Sequence, residues 1–257
     1  SVNGRLLAYA PEAGLKSFGP DGSAETLTLQ NMDRPPMAGP GGTVMVRYNG
    51  RLMAIDGRGQ EAWNVSGLVS DPAVDDRGNV FFFMSPPGDA SVYLDCVSSE
   101  GSLRWSIQYP AYDSGTKLKA SDDGVFVYDE SDGVLARLNS GGNVTWDHSM
   151  PYLGQYSLVE DENGWLYFFY IFGTVHVVNG HGTLIGKLNP AVAYDANLSY
   201  MPAVHNGTLY VAGDAGEGVK ALYAVGIDGS LKWKLNFNCT SAPRIFAEHN
   251  IVCVGAD

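Results

Sequence analysis

Positive charge is scarce in this chain. Its 257 residues carry 16 Lys plus Arg against 28 Asp plus Glu, a formal charge of −12. Neutralising phosphate needs a basic footprint, so this balance excludes nucleic acid as the expected partner. Long apolar runs are missing too. None approaches the ~20 residues that span a bilayer, and no membrane insertion by this segment is expected. The opening Ser1-Val2-Asn3-Gly4-Arg5 does not read as a signal sequence, so any leader is expected to have been removed or never present. Cysteine is limited to Cys96, Cys239 and Cys253, an odd number that allows at most one internal bridge. Stretches of more than about ten residues without a breaker are rare, which argues against long helices; 32 Gly and 13 Pro interrupt the chain. Disorder is excluded as well, because 45% of the residues are hydrophobic and only 17% charged.

What remains between the breakers is short, aromatic and β-branched: Val80-Phe81-Phe82-Phe83-Met84, Val125-Phe126-Val127-Tyr128, Trp165-Leu166-Tyr167-Phe168-Phe169-Tyr170 and Thr208-Leu209-Tyr210-Val211. Bounded by Gly, Asn and Asp, such runs read as strands, and the continuous apolar ones as strands buried on both faces. The chain is expected to be all-β. One segment recurs, a strand, a turn closed by Gly and a second strand. Its anchors are Gly22, Gly59, Gly101, Gly142, Gly182 and Gly229, spaced 37, 42, 41, 40 and 47 residues apart. Four residues after the anchor stand Trp63, Trp105, Trp146 and Trp233. A second marker, a polar turn ending in Gly4, Gly42, Gly78, Gly124, Gly164 or Gly207, precedes each anchor by 17 to 23 residues. Two markers thus keep one period of roughly 40 residues, with four short strands in each unit.

That period is the pattern of a β-propeller of four-stranded blades. One such sheet is too thin to bury both faces, and radial stacking lets each cover its neighbour. The four Trp rings are expected to dock blade on blade, each N–H satisfied by a backbone acceptor. The pattern Ala224…Asp228-Gly229…Trp233, repeated as Ala54-Ile55-Asp56…Gly59…Trp63, resembles the PQQ-like repeat, as do Asp71-Pro72-Ala73-Val74 and Met201-Pro202-Ala203-Val204. That repeat occurs in quinoprotein alcohol dehydrogenases, an outer-membrane assembly lipoprotein, and many secreted or receptor ectodomains. The resemblance covers essentially all of residues 1–257, read as a single propeller domain whose last repeat is incomplete. About six blades are expected, with C-terminal strands pairing into the N-terminal blade, because closure abolishes exposed edges. The alternative is a part of a seven- or eight-bladed ring.

The same residues offer few candidates for catalytic chemistry. His148, His176, His181, His205 and His249 show no HxH or HExxH spacing, and no nucleophile elbow, Walker loop or dinucleotide fingerprint is present. The acid clusters Asp71…Asp75-Asp76, Asp122-Asp123, Asp129-Glu130…Asp132 and Glu160-Asp161-Glu162 stand where hairpins need Asp and Asn, and are read as solvated turns rather than calcium sites. The family resemblance implies that a quinone cofactor would be stacked between a Trp and a disulfide of adjacent cysteines. The three cysteines here are not adjacent, so no cofactor and no enzyme activity are expected. Cys239 and Cys253 are a candidate disulfide, with three buried thiols as the alternative.

Asn64, Asn143, Asn197, Asn206 and Asn238 head Asn-x-Ser/Thr sequons. Ordinary Ser/Thr frequencies would produce about two, so the excess favours N-glycosylation and an exported protein. The expected role is a non-catalytic extracellular, surface or periplasmic propeller that holds a protein or glycan partner. Its loops at 85–91 and 213–218 are the variable surface, Pro86-Pro87-Gly88-Asp89-Ala90 being a candidate contact. The alternatives are a carbohydrate-binding module using Tyr109, Tyr112, Tyr152 and Tyr156, a self-associating structural component, and a quinoprotein-type oxidoreductase.

Overall fold

Successive side chains of a strand point to opposite faces, so an unbroken apolar run serves two cores at once. Val80-Phe81-Phe82-Phe83 does this. Val80 and Phe82 pack with Met45, Leu52, Leu68 and Val97. Phe81 and Phe83 pack on the other side with Leu94, Cys96, Ala120, Val125, Val127 and Leu138. All four side chains are fully buried. At about 25 cal/mol for each Å² of apolar surface removed from water, each ring contributes roughly 1.5–3 kcal/mol.

The computed structural model describes residues 6–10, 14–18, 21, 23–27, 32, 34, 36–110, 112, 115–129, 132–149, 156–170, 174–188, 202–214, 220–236, 244–246 and 250–252. The chain divides into two compact units, Ser1–Met150 and Pro151–Asp257. In the first, β1 (Leu6–Ala10), β2 (Gly14–Phe18) and β3 (Ala24–Leu27) form a three-stranded sheet. Three four-stranded sheets follow. They are β4 (Met37–Ala38), β5 (Val44–Tyr48), β6 (Arg51–Ile55) and β7 (Glu61–Ser66); β8 (Ala73–Val74), β9 (Val80–Met84), β10 (Tyr93–Val97) and β11 (Leu103–Gln108); and β12 (Lys117–Ser121), β13 (Gly124–Asp129), β14 (Val134–Asn139) and β15 (Val144–Ser149). The second unit holds two more. These are β16 (Tyr156–Glu160), β17 (Leu166–Tyr170), β18 (Val175–Val178) and β19 (Leu184–Leu188), then β20 (Ala203–His205), β21 (Thr208–Asp214), β22 (Lys220–Gly226) and β23 (Leu231–Asn236). A two-stranded sheet, β24 (Arg244–Phe246) and β25 (Asn250–Val252), ends the described chain. Every pairing is antiparallel between sequence neighbours, and the single helical turn among the described residues is Pro40–Gly42. This is the all-β, four-stranded repeat of a β-propeller.

The repeated glycine turn has one construction at Gly59, Gly101, Gly142 and Gly182, whereas at Gly229 the equivalent position is Gly226 and Asp228 Oδ1 accepts from Ser230 N at 3.0 Å instead. At the four, a polar side chain three residues before the anchor accepts from two backbone amides. Asp56 Oδ1 takes Arg58 N and Gln60 N at 2.8 and 2.9 Å. Asn139 Oδ1 takes Gly141 N and Asn143 N, both at 3.0 Å. Asn179 Oδ1 takes His181 N and Thr183 N at 3.0 and 2.9 Å. The anchor closes the loop in the left-handed region, with φ of +80° at Gly101 and Gly142, and the ladder slips by one residue beside it. These are three-residue loops ending in a glycine bulge.

Anchor glycines also seat the neighbouring sheet. A Cβ on Gly101 would lie 2.4 Å from Trp63 Cγ, and one on Gly142 would lie 2.9 Å from Trp105 Cδ2. Trp63 Nε1 donates to Ser99 O and Trp105 Nε1 to Ser140 O, both at 2.9 Å. A ring on the last strand of one sheet therefore rests on the turn of the next. In the second unit Gly186 stands where Trp would, and its open side is filled by Ile227 of the following sheet, whose Cγ1 lies 3.7 Å from a Cβ position there. Beneath them Tyr167, Phe169, Val175 and Val177 pack with Leu209, Val211, Tyr223 and Val225.

Candidate functional site

In the first unit, connections run from the last strand of one sheet to the short first strand of the next. Residues 67–72 join β7 to β8 and are hydrogen-bonded along their length. Leu68 N donates to Gly50 O at 2.9 Å, Ser85 N to Gly67 O at 2.7 Å, and Val69 N to Phe83 O at 3.0 Å. The Ser70 hydroxyl accepts from Phe83 N at 2.9 Å and donates to Asp71 O at 3.1 Å. From the next connection, the Tyr112 hydroxyl donates to Val69 O at 2.6 Å while its ring lies 4.7 Å from that of Phe83. Asp71 projects from this anchored backbone, its side chain 66% exposed.

Beside Asp71 opens a cavity of about 390 Å³ lined by Arg34, Arg47, Asp71, Tyr112, Thr116 and Lys117 among others. A second cavity of about 190 Å³ shares Arg34, Arg47, Asp71 and Pro72 with it and is walled by Met37, Met45 and Leu52. Arg47 Nη1 lies 3.1 Å and Arg34 Nε 3.9 Å from the same oxygen, Asp71 Oδ1. The Arg34–Asp71 pair is exposed on both sides, and such pairs contribute roughly 0–1 kcal/mol to stability. Among the described residues, three cations line the cleft with one carboxylate, a locally positive site on an acidic protein.

Of the residues named from the sequence, Asp71 and Tyr112 line this cleft and most of the others lie elsewhere. Trp63 and Trp105 bridge sheets as described, Trp146 lies 5.9 Å from the Phe126 ring, and Trp233 lies 5.9 Å from Tyr210 and is 41% exposed. Asn64, Asn143 and Asn206 are exposed, the Asn64 amide donating to Glu61. Asn197, Asn238, Cys239, Cys253, Tyr152 and His249 fall outside the described residues, as does the side chain of Tyr156. Cys96 is a free, buried thiol whose pKa is pushed up to about 12, chiefly by burial. Tyr109 and Tyr112 are half-buried and pack on Phe83 at ring-centroid distances of 5.1 and 4.7 Å, Tyr112 also lining the cavity. In the 86–90 loop Asp89 accepts from Ser91 N at 2.8 Å, and that hydrogen bond leads in holding its carboxyl below the ordinary range.

The acid clusters divide in a way that differs from the solvated reading. Asp75, Asp129 and Asp161 are buried. Asp75 Oδ1 accepts from Arg77 N and Asn79 N at 3.0 and 2.7 Å, and Asp161 Oδ1 from Asn163 N and Trp165 N at 2.9 and 3.0 Å. Tyr167 donates to Asp161 Oδ2 at 3.2 Å, and burial followed by that carboxylate raises the Tyr167 pKa. Among the histidines, His205 Nδ1 lies 3.0 Å from Glu162 Oε1, while His176 is buried, with burial the main cause of its lowered pKa. Among the described residues no group of three or more His, Cys, Asp or Glu is placed to hold a metal ion.

No short motif announces Arg34, Arg47 and Lys117, yet a signal exists in the repeat phase. Arg34 stands 25 residues before anchor Gly59, and Lys117 stands 25 before Gly142. Asp71 stands 30 before Gly101, the five extra residues matching the long 86–90 hairpin. Equivalent positions of three successive repeats thus meet at one cleft.

Compared with known proteins, the chain matches no family model and no curated protein sequence. Its fold is similar to solved structures. BamB from Moraxella catarrhalis matches at a TM-score of 0.57 and 14% identity over 83% of this chain and 67% of that one. A Bacteroides caccae protein of unknown function matches at 0.53 and 14% identity over 92% and 94% of the two chains. A eukaryotic initiation factor matches at 0.50 and 11% identity over 93% of this chain and 79% of that one. At these identities the likeness concerns the fold.

Proposed function

We propose that residues 1–257 act as one non-catalytic, protein-binding propeller domain of about six blades that works outside the cytoplasm. The observation that carries the reading is the division of labour among polar groups. The buried carboxylates Asp75 and Asp161 are spent on hairpin amides, whereas Arg34, Asp71 and Lys117 stand exposed at one cleft, Asp71 on a hydrogen-bonded connection and Lys117 at the start of a paired strand. Such a layout offers recognition on a scaffold of interlocked sheets. The fold likeness to BamB agrees with it. The ~40-residue period supports the blade number, and the exposed sequons at Asn64, Asn143 and Asn206 support export.

The test is affinity capture with the full chain from the extracytoplasmic fraction of its source, mass-spectrometric identification, and reconstitution of the purified pair. A saturable complex in the micromolar range or tighter, without turnover when PQQ, calcium and a redox dye are supplied, is the expected result. Dye reduction at catalytic rates would overturn the reading.

A further inference from the structure

The chain's −12 charge acts weakly at a distance, since physiological salt screens exposed charges beyond ~8 Å. What an approaching ligand meets at the cleft is the local set, and there, among the described residues, the sign is reversed. Arg34, Arg47 and Lys117 line the larger cavity with Asp71 as the one carboxylate among its described lining residues. Guanidinium groups take carboxylates in a planar, two-bonded fork. Arg34 and Arg47 already converge on a carboxylate oxygen of Asp71, at 3.9 and 3.1 Å, which shows the group that their geometry suits.

The smaller cavity adds a second preference. Its wall is apolar: Met37 is partly exposed and offers surface to a guest, while Met45 and Leu52 belong to the core, and methionine adapts to a guest of irregular shape. Because both cavities share Arg34, Arg47, Asp71 and Pro72, they are adjoining compartments of one groove. In an extended chain, alternate side chains fall on the same side about 6.5–7 Å apart, so residues two positions apart can enter adjoining compartments. Asp71 itself discriminates between anions. It repels a dianion such as phosphate about twice as strongly as the single charge of a peptide carboxylate, and a peptide can also offer it a backbone N–H.

We propose that this groove binds an extended peptide segment of a partner protein, with an Asp or Glu carboxylate held by Arg34, Arg47 and Lys117 and an aliphatic side chain two residues away seated against Met37, Met45 and Leu52. The assignment rests on the protein-binding reading above and specifies its ligand.

The test is an NMR titration of the isotope-labelled full chain with a short, N-acetylated and C-amidated peptide holding Glu and Leu two positions apart among glycines. Saturable shifts at Arg34, Asp71 and Lys117 are expected. Gln or Lys in place of the peptide's Glu should weaken binding about tenfold or more, as expected for a charge-assisted hydrogen bond. The exposed variants Arg34→Glu and Lys117→Glu should each do the same while leaving the spectrum folded. Absence of saturable shifts, equal binding of the Lys peptide, or indifference to both variants would overturn the proposal. Tighter binding of inorganic phosphate than of the peptide would also overturn it, in favour of a small-anion site. If the peptide fails while a captured partner still forms a complex with the chain, this assignment falls and the scaffold reading stands; if no partner binds, the scaffold reading falls.

Discussion

Single atoms decide much of this structure. At Gly101 two demands coincide, a φ of +80° and a Trp63 ring occupying the space of a Cβ. Gly88 has a φ of +82° with nothing within 4 Å of its Cβ position, so it isolates the backbone demand. Gly88→Ala is therefore expected to cost about 1 kcal/mol and Gly101→Ala about 3 kcal/mol or more, read by denaturant unfolding. Equal losses would mean that the ring seat carries no energy. Asp95 is a second residue-scale case. Its carboxyl is buried, which raises its pKa against the opposing hydrogen bond that Ser106 Oγ donates at 2.5 Å. The unfolded chain releases this proton first as pH rises above about 4, so the term favours folding at low pH and is lost through the interval up to the raised value. Asp95→Asn keeps the shape and should flatten that slope, leaving the variant more stable than the parent at pH 7. Thermal melts at pH 4 and pH 7 would show it.

Individual strands and sheets were the most legible part of the sequence. Val80-Phe81-Phe82-Phe83 could be read as doubly buried because glycine and aspartate turns bound it and no polar residue interrupts it. The anchor turns were legible for a similar reason, since a polar residue and a glycine three places apart make a loop whatever surrounds them. That Trp63 docks on a neighbouring repeat was expected from the period, but its seat on Gly101 was not legible, because that contact joins residues of different repeats. Nor was the cleft, whose three contributors lie in three repeats and make sense only once the repeats are superposed in phase. Asp75 and Asp161 look like solvated turn acids in one dimension, and only the folded chain shows them buried. At this scale Trp105→Phe tests the sheet-to-sheet hydrogen bond. It keeps an aromatic ring on Gly142 but leaves Ser140 O without its donor, and should cost about 1–3 kcal/mol by chemical denaturation.

Over the molecule as a whole, stability belongs to interfaces between sheets more than to sheets. Within a unit, sheets bury aromatic residues against a neighbour, as Phe81 and Phe83 do in the first and Tyr167 and Phe169 in the second, so the repeats of each unit should behave as a nearest-neighbour array. A fragment of residues 36–149 retains three complete sheets and both tryptophan seats. It is expected to melt cooperatively by circular dichroism, whereas residues 36–66, one sheet alone, should give the spectrum of an unfolded chain. A folded single sheet would refute this account of the core.

The hairpins of a sheet differ in what they touch. The turn at Gly101 is the bearing surface of the preceding sheet, while the 86–90 hairpin of that same sheet stands clear at Gly88. Over evolutionary time the first should stay frozen in length and composition while the second drifts, gains insertions and tolerates grafted sequence. A laboratory seeking to append a tag or a foreign epitope to this protein would place it there.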